Sequence, residues 1–264
     1  MSNIIKNHPN ELDPLAISLQ SNDRVTITGV PHRELIDTNH SDIFLEYMLP
    51  LLRLHHIRPD SLEKLKAMIK SLKIPNTPLP LSPYPRNPDT KKGNFAEIFL
   101  AEYLKSTTDT KLPIYKLRYN PNKEQSMKGA DVLLFDLDST PVRIIIGEAK
   151  FRKIPTKKTV IEIVENLVRS NKIIIPLSLM FVAERLFDEG NEELGNKVLN
   201  CSILFSSDRL EINYVGFLMS NINANNYINL HTTNELHNLL MISLGMNDPE
   251  LIIEQAFNQL ETEL

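Results

Sequence analysis

One cysteine, Cys201, is all that 264 residues contain. The chain can therefore build neither an internal disulfide framework nor a thiolate metal cluster, and it suits a reducing compartment. Seven histidines are present (8, 32, 40, 55, 56, 231 and 237), with no HExxH and no pairing that places two ligands on one helix face, which argues against zinc chemistry. Long apolar runs are also missing. The longest, Ile173 to Ala183, is broken by Pro176 and Ser178 and falls far short of the ~20 residues that a membrane helix needs. Met1 to Leu15 carries Asn, His, Glu and Asp where a secretory leader needs a basic end and an apolar run, so a cytoplasmic protein is expected. With 42% hydrophobic and 23% charged residues, and no repeat or biased tract, the composition is that of a soluble globular chain.

An overall excess of positive charge is absent too: the net charge is −4 and the pI about 6.0. The distribution is uneven, however. Residues 150–172 carry Lys150, Arg152, Lys153, Lys157, Lys158, Arg169 and Lys172 against only Glu162 and Glu165. Residues 111–128 carry Lys111, Lys116, Arg118, Lys123 and Lys128 against Glu124 alone, whereas 247–264 are acidic without a Lys or Arg. Arg152, Lys153, Lys157 and Lys158 are the candidates for phosphate contacts, the alternative being a solvated basic face.

Six prolines between Pro75 and Pro88 exclude helix interiors and central strands and mark a connector. Four parts follow: an N-terminal segment over 1–74, the connector over 75–92, a core over 93–220 and a helical segment over 221–264. In the first, Arg24 to Gly29 alternates like a strand, Ser41 to His56 has helical spacing, and Asp60 with Glu63 opens a helix reaching about Leu72. In the core, Asn94 to Thr107 reads as a helix. Ile114 to Tyr119, Asp131 to Leu137 and Val142 to Phe151 read as strands, the last two joined by a tight turn at 138–141. Thr156 to Arg169 reads as an amphipathic helix, followed by helical stretches near 177–187 and 192–199 and a strand from Leu210 to Met219. Two closing helices are expected, the last starting at Asp248-Pro249. The order predicts an α/β fold with a mixed sheet flanked by helices.

The most informative stretch is Ile144-Ile145-Ile146-Gly147-Glu148-Ala149-Lys150. So apolar a run reads as an interior strand, and alternation sends Glu148 and Lys150 to one face about 6.6 Å apart. The hairpin brings Asp131, at the start of one strand, across from Glu148, near the end of the other. Upstream, Glu97 lies in an otherwise apolar helix, where a buried carboxylate needs a cation or a donor. Asn94 and Glu97 also fit a capping box, in which Glu97 would serve only a backbone N–H. Carboxylates beside a lysine suit Mg²⁺, which takes oxygen ligands, retains waters and is held by one or two carboxylates plus substrate phosphate. Such a centre suits phosphodiester hydrolysis, with the lysine orienting the water. Acid-x-Lys alone carries little weight, since Asp89-Thr90-Lys91 and Asp109-Thr110-Lys111 also match, both in expected loops. Glu102, Asp136 and Asp138 read as solvated, turn or rim residues, and Cys201, His55 and His56 as packing and surface residues.

At these positions the sequence resembles the PD-(D/E)xK nuclease superfamily over roughly Gly93 to Met219. More closely, Gly93-Asn94-Phe95-Ala96-Glu97, Gly129-Ala130-Asp131 and Gly147-Glu148-Ala149-Lys150-Phe151 are similar to the HamA family, nuclease subunits of the Hachiman anti-phage system that act with a helicase, HamB. The resemblance implies a restriction-endonuclease-like core with an N-terminal extension and C-terminal helices. It implies Asp131, Glu148 and Glu97 around Mg²⁺, which Mn²⁺ could replace, Lys150 as the catalytic lysine, DNA as substrate and a helicase subunit as partner. Ala130 stands where the superfamily's proline usually lies, a departure that bears on backbone shape and not on ligation. A stand-alone restriction or repair nuclease, or a non-cleaving DNA- or partner-binding module, is the alternative. Glu250, Glu254 and Glu261 of the last helix are candidates to face a basic partner.

Overall fold

A computed structural model describes residues 4–72, 82–170 and 175–264. Its strands are β1 (Leu19–Val25), β2 (Pro31–Asp37), β3 (Val132–Asp136), β4 (Arg143–Phe151), β5 (Glu211–Ser220) and β6 (Leu239–Gly245). They form one sheet in the order β1-β2-β6-β5-β4-β3, antiparallel at both ends and parallel from β2 to β4. The sequences follow from these positions: β6 and most of β5 are continuously buried, because a central parallel strand is covered on both faces. The expected mixed α/β sheet is therefore present.

The helices are α1 (Pro14–Ser18), α2 (Ser41–His56), α3 (Pro59–Leu72), α4 (Pro88–Thr107), α5 (Lys157–Arg169), α6 (Ile175–Asp188), α7 (Glu192–Ser206), α8 (Asn225–His231) and α9 (Pro249–Thr262). One sheet face carries α2, α4 and α9 over a core that includes Phe44, Phe95, Phe99, Phe217 and Phe257. The other carries α5 to α8 over Ile144, Ile146, Ile163, Leu179 and Val198. Helix α4 is apolar on nearly every side because it is wedged between α2, α9 and the sheet. Among the described residues, no helix is long and apolar enough to cross a membrane.

Several sequence readings shift. Helix α4 starts at Pro88, with the Asn87 side chain accepting from the N–H groups of Asp89 and Thr90. Glu97 is thus interior to the helix, and the capping-box reading of Asn94 and Glu97 does not hold. Arg24 to Gly29 straddles the end of β1 and the turn at Gly29, so the strand lies earlier. Ile114 to Tyr119 contains a 3-10 turn, Lys116–Tyr119, instead of a strand. Residues 221–264 contain β6 between α8 and α9, in the middle of the sheet. The N-terminal residues supply β1 and β2 to that same sheet through β2–β6 pairing. Of the connector, residues 75–81 lie outside the described residues, as does Lys172 of the basic stretch.

Candidate active site

The β3–β4 register pairs Val132 with Gly147 and Asp136 with Arg143, which sets Asp131 beside Glu148. Gly129 makes the turn into β3 at φ +114, in the region that only glycine enters without strain. The Asp131 carboxylate is then pinned by the Ala149 N–H, which donates to its Oδ2 at 2.9 Å. Glu148 and Lys150 project together as alternation requires: Lys150 Nζ lies 2.7 Å from Glu148 Oε1. From α5, Asn166 donates to the same oxygen at 2.7 Å, and Glu162, one turn earlier, stands 3.6 Å from Lys150 Nζ.

Glu97 arrives from the opposite face on α4. Gly147 allows that approach, since a Cβ there would meet Leu100 and Val132 at 2.9 Å. Lys116, on the 3-10 turn, ties the pieces together. Its Nζ is 3.1 Å from Glu97 Oε1, 3.9 Å from Asp131 Oδ1, and donates to the Ala130 carbonyl at 2.7 Å. Sequence reasoning counted Lys116 only as part of a basic stretch and did not single out Asn166. The one signal for each was the need of a buried carboxylate for a donor.

Burial dominates the electrostatics. It pushes the Glu97 carboxyl up to about 8 against the pull of Lys116, with Asp131 and Glu148 adding to the push. Burial and then the Asp131 charge raise Glu148 as well, opposed by Lys150 and Asn166. Burial is the largest influence on the Lys150 ammonium and would lower it, yet Glu148, Asp131 and Glu162 together hold Lys150 above its ordinary value.

Glu97, Asp131 and Lys150 open into a cleft of about 470 Å³ that Lys92, Arg152 and Lys153 also line. An apolar cavity of about 460 Å³, walled by Leu112, Ile114 and Phe181 among others, meets it at Glu97 and Asp131. Lys157 and Lys158 sit exposed at the first turn of α5, past the cleft. Among the described residues, no three His, Cys, Asp or Glu side chains stand so as to enclose a metal ion unaided. The donor set of Asp131 and Glu148 on neighbouring strands does suit a hard cation that draws its other ligands from water and phosphate.

Other candidates have separate places. Glu102 is buried, not solvated: His55 Nε2 donates to it at 2.7 Å and Lys105 pairs with it at 2.7 Å. His55 and His56 are both buried, so neither is a surface residue. Because His56 Nδ1 must donate to the Leu52 carbonyl, its Nε2 accepts from Asn94 Nδ2 at 3.2 Å. Asp89 and Lys91 lie in the first turn of α4 and not in a loop. Asp136 pairs with Arg143 at 3.3 Å. Cys201 is buried, its thiol pushed up to about 11 by desolvation. Of the α9 acids, Glu250 turns inward to Lys92 and Lys153, and Glu261 accepts from Ser82 at 2.5 Å; Glu254 is exposed.

Beyond the geometry, two likenesses place the chain. A relative from Bacillus cereus, named Hachiman protein HamA, is 39% identical over 181 residues, an alignment covering 69% of this chain and 65% of that protein. The HamA family model matches residues 10–260, a span that takes in both faces of the sheet and every candidate site residue. The chain belongs to the HamA family.

Proposed function

We propose that the chain is a metal-dependent DNA endonuclease with a PD-(D/E)xK, restriction-endonuclease-like core, acting in the cytoplasm as the effector of an anti-phage defence complex with a helicase subunit. The observation that carries the reading is the Glu148–Lys150 pair beside Asp131, at a cleft that Lys92, Arg152 and Lys153 also line. Membership in the HamA family, with a relative named as a Hachiman protein, supports the defence role and the helicase partner.

Asp131 and Glu148 would hold Mg²⁺, with Glu97 alongside. When bound, the ion lowers the pKa of a water and neutralises charge on a phosphodiester oxygen. Lys150, fully charged next to Glu148, orients the attacking water and draws the scissile phosphate toward the sheet end. Asn166 and the Ala149 N–H hold the two carboxylates in place, which limits the rearrangement needed when substrate arrives. Arg152, Lys153, Lys157 and Lys158 extend the cationic surface along which the DNA backbone would run.

The test is plasmid cleavage by the purified chain, alone and with a HamB-type helicase. The expected result is a stable complex in which the helicase changes the rate of nicking or cutting. A chain that cleaves no DNA in Mg²⁺, with or without the helicase, overturns the nuclease reading. A chain that neither binds nor responds to the helicase becomes a stand-alone nuclease.

A further inference from the structure

The lining of the cleft includes an ion-pair bridge built from three segments distant in the sequence. Glu250, in the first turn of α9, sends Oε1 to Lys92 Nζ at 2.7 Å and Oε2 to Lys153 Nζ at 3.0 Å. Lys92 belongs to α4, five residues before Glu97, and lies over the Phe151 ring at 5.6 Å from its centroid. Lys153 follows β4, three residues past Lys150. All three line the same cleft as Glu97, Asp131 and Lys150.

A negative residue in the first turn of a helix is expected from the helix dipole alone. The dipole does not account for two lysines, from two other elements, each taking one oxygen of the same carboxylate. That arrangement is the one a phosphodiester would use, offering its two non-bridging oxygens to the two ammonium groups. Lys92 and Glu250 are 24% and 29% exposed and Lys153 64%, so the pairs sit within reach of a competing anion. Asp89 contacts Lys92 only loosely, at 3.8 Å.

We infer that Lys92 and Lys153 form a phosphate-binding pair for the DNA backbone in the cleft, and that Glu250 occupies it as a built-in competitor which DNA must displace. The inference rests on the nuclease reading and adds a substrate contact, Lys92, together with a latch on α9. With the latch closed, the cleft offers less positive charge to DNA than its lysine count implies. Anything that moves α9 would uncover both ammonium groups at once.

Glu250→Gln keeps the shape and removes the charge. Binding of a short labelled DNA duplex in EDTA, followed by anisotropy across a salt series, should tighten by about three- to tenfold at low salt. The salt dependence should steepen by about one unit of slope for each lysine released. Lys92→Gln should weaken binding little in the parent, where Glu250 already neutralises it, and strongly in the Glu250→Gln background. That coupling separates a latch from a merely structural ion pair, for which both single variants would lower thermal stability and the double variant would show no coupling in DNA affinity. Unchanged affinity and slope in Glu250→Gln, with the parent binding DNA, overturns the latch and leaves the nuclease reading standing. Failure of parent and variants alike to bind DNA overturns both.

Discussion

The backbone N–H of Ala149 donates to the carboxylate of Asp131 at 2.9 Å, so the residue between Glu148 and Lys150 anchors the aspartate on the neighbouring strand. Strand alternation puts Glu148 and Lys150 on one face, and the N–H between them lies in the sheet plane, free at the point where the edge strand β3 begins. Asp131 fills that vacancy. Movement of the β3 start would therefore disturb the aspartate and the acid-lysine pair together.

Lys150→Ala should lower the rate of DNA cleavage by about 10²–10⁴-fold while leaving the fold intact. Glu148 retains Asn166 as a donor in that variant, so the loss of stability should be near 1 kcal/mol, roughly 2–4 °C in melting temperature for a chain of this size. Cleavage at the parent rate by a folded Lys150→Ala protein would remove Lys150 from the mechanism. Glu148→Gln should be equally inactive, since the amide keeps the volume and loses the charge.

Stability should depend on pH through Glu97. Its carboxyl titrates near 8 in the fold and near 4.5 when exposed. Because the folded value is the higher, the native state holds the proton more tightly: this contribution is complete below about pH 4.5 and drains away as pH rises toward about 8. Glu148, also raised, acts in the same direction. In EDTA, the melting temperature should fall across that window, and less so in Glu97→Gln, which is neutral throughout. Parallel curves for the two proteins would show that Glu97 keeps an ordinary carboxyl.

Chelation should abolish cleavage, Mn²⁺ should restore it, and Ca²⁺ should support DNA binding but little chemistry, because its looser shell positions water poorly. Independently of activity, Mg²⁺ should raise the melting temperature of the parent by mass action. The shift should vanish in Asp131→Asn and Glu148→Gln. A shift that persists in both would place the ion elsewhere.

Reversing the charge of Lys157 and Lys158 should weaken DNA binding irrespective of sequence and flatten the salt dependence by about one unit of slope per lost contact. Arg152 is already partly neutralised by Glu162, 3.5 Å away. Its reversal should therefore have a smaller effect on the slope, and equal effects would argue against that pairing in solution.

Much of the candidate site was legible along the chain because its signals are local. An isoleucine run ending in Glu-x-Lys, a Gly-Ala-Asp turn and a tight hairpin suffice to bring Asp131, Glu148 and Lys150 together, since pleat and register follow from a period of two. The hairpin and α5 were readable for the same reason. Strand β6 was not: Leu239 to Gly245 is apolar without a period, and only its burial between β2 and β5 distinguishes it from helix. The reading of Ile114 to Tyr119 as a strand failed because, among the described residues, none of these six pairs with a strand: the bridge of Lys111 with Phe135 ends before the segment, which is left free to turn. The partners of the carboxylates depended wholly on tertiary structure. Lys116 reaches Glu97 and Asp131, Asn166 reaches Glu148, and Glu250 reaches Lys92 and Lys153 across separations that no local pattern encodes. Which residues can carry charge and chemistry, and on which strand face they stand, follows from neighbours one or two positions away along the chain. Which counter-charge each one meets was decided only when packing brought α4, α5 and α9 to the same end of the sheet.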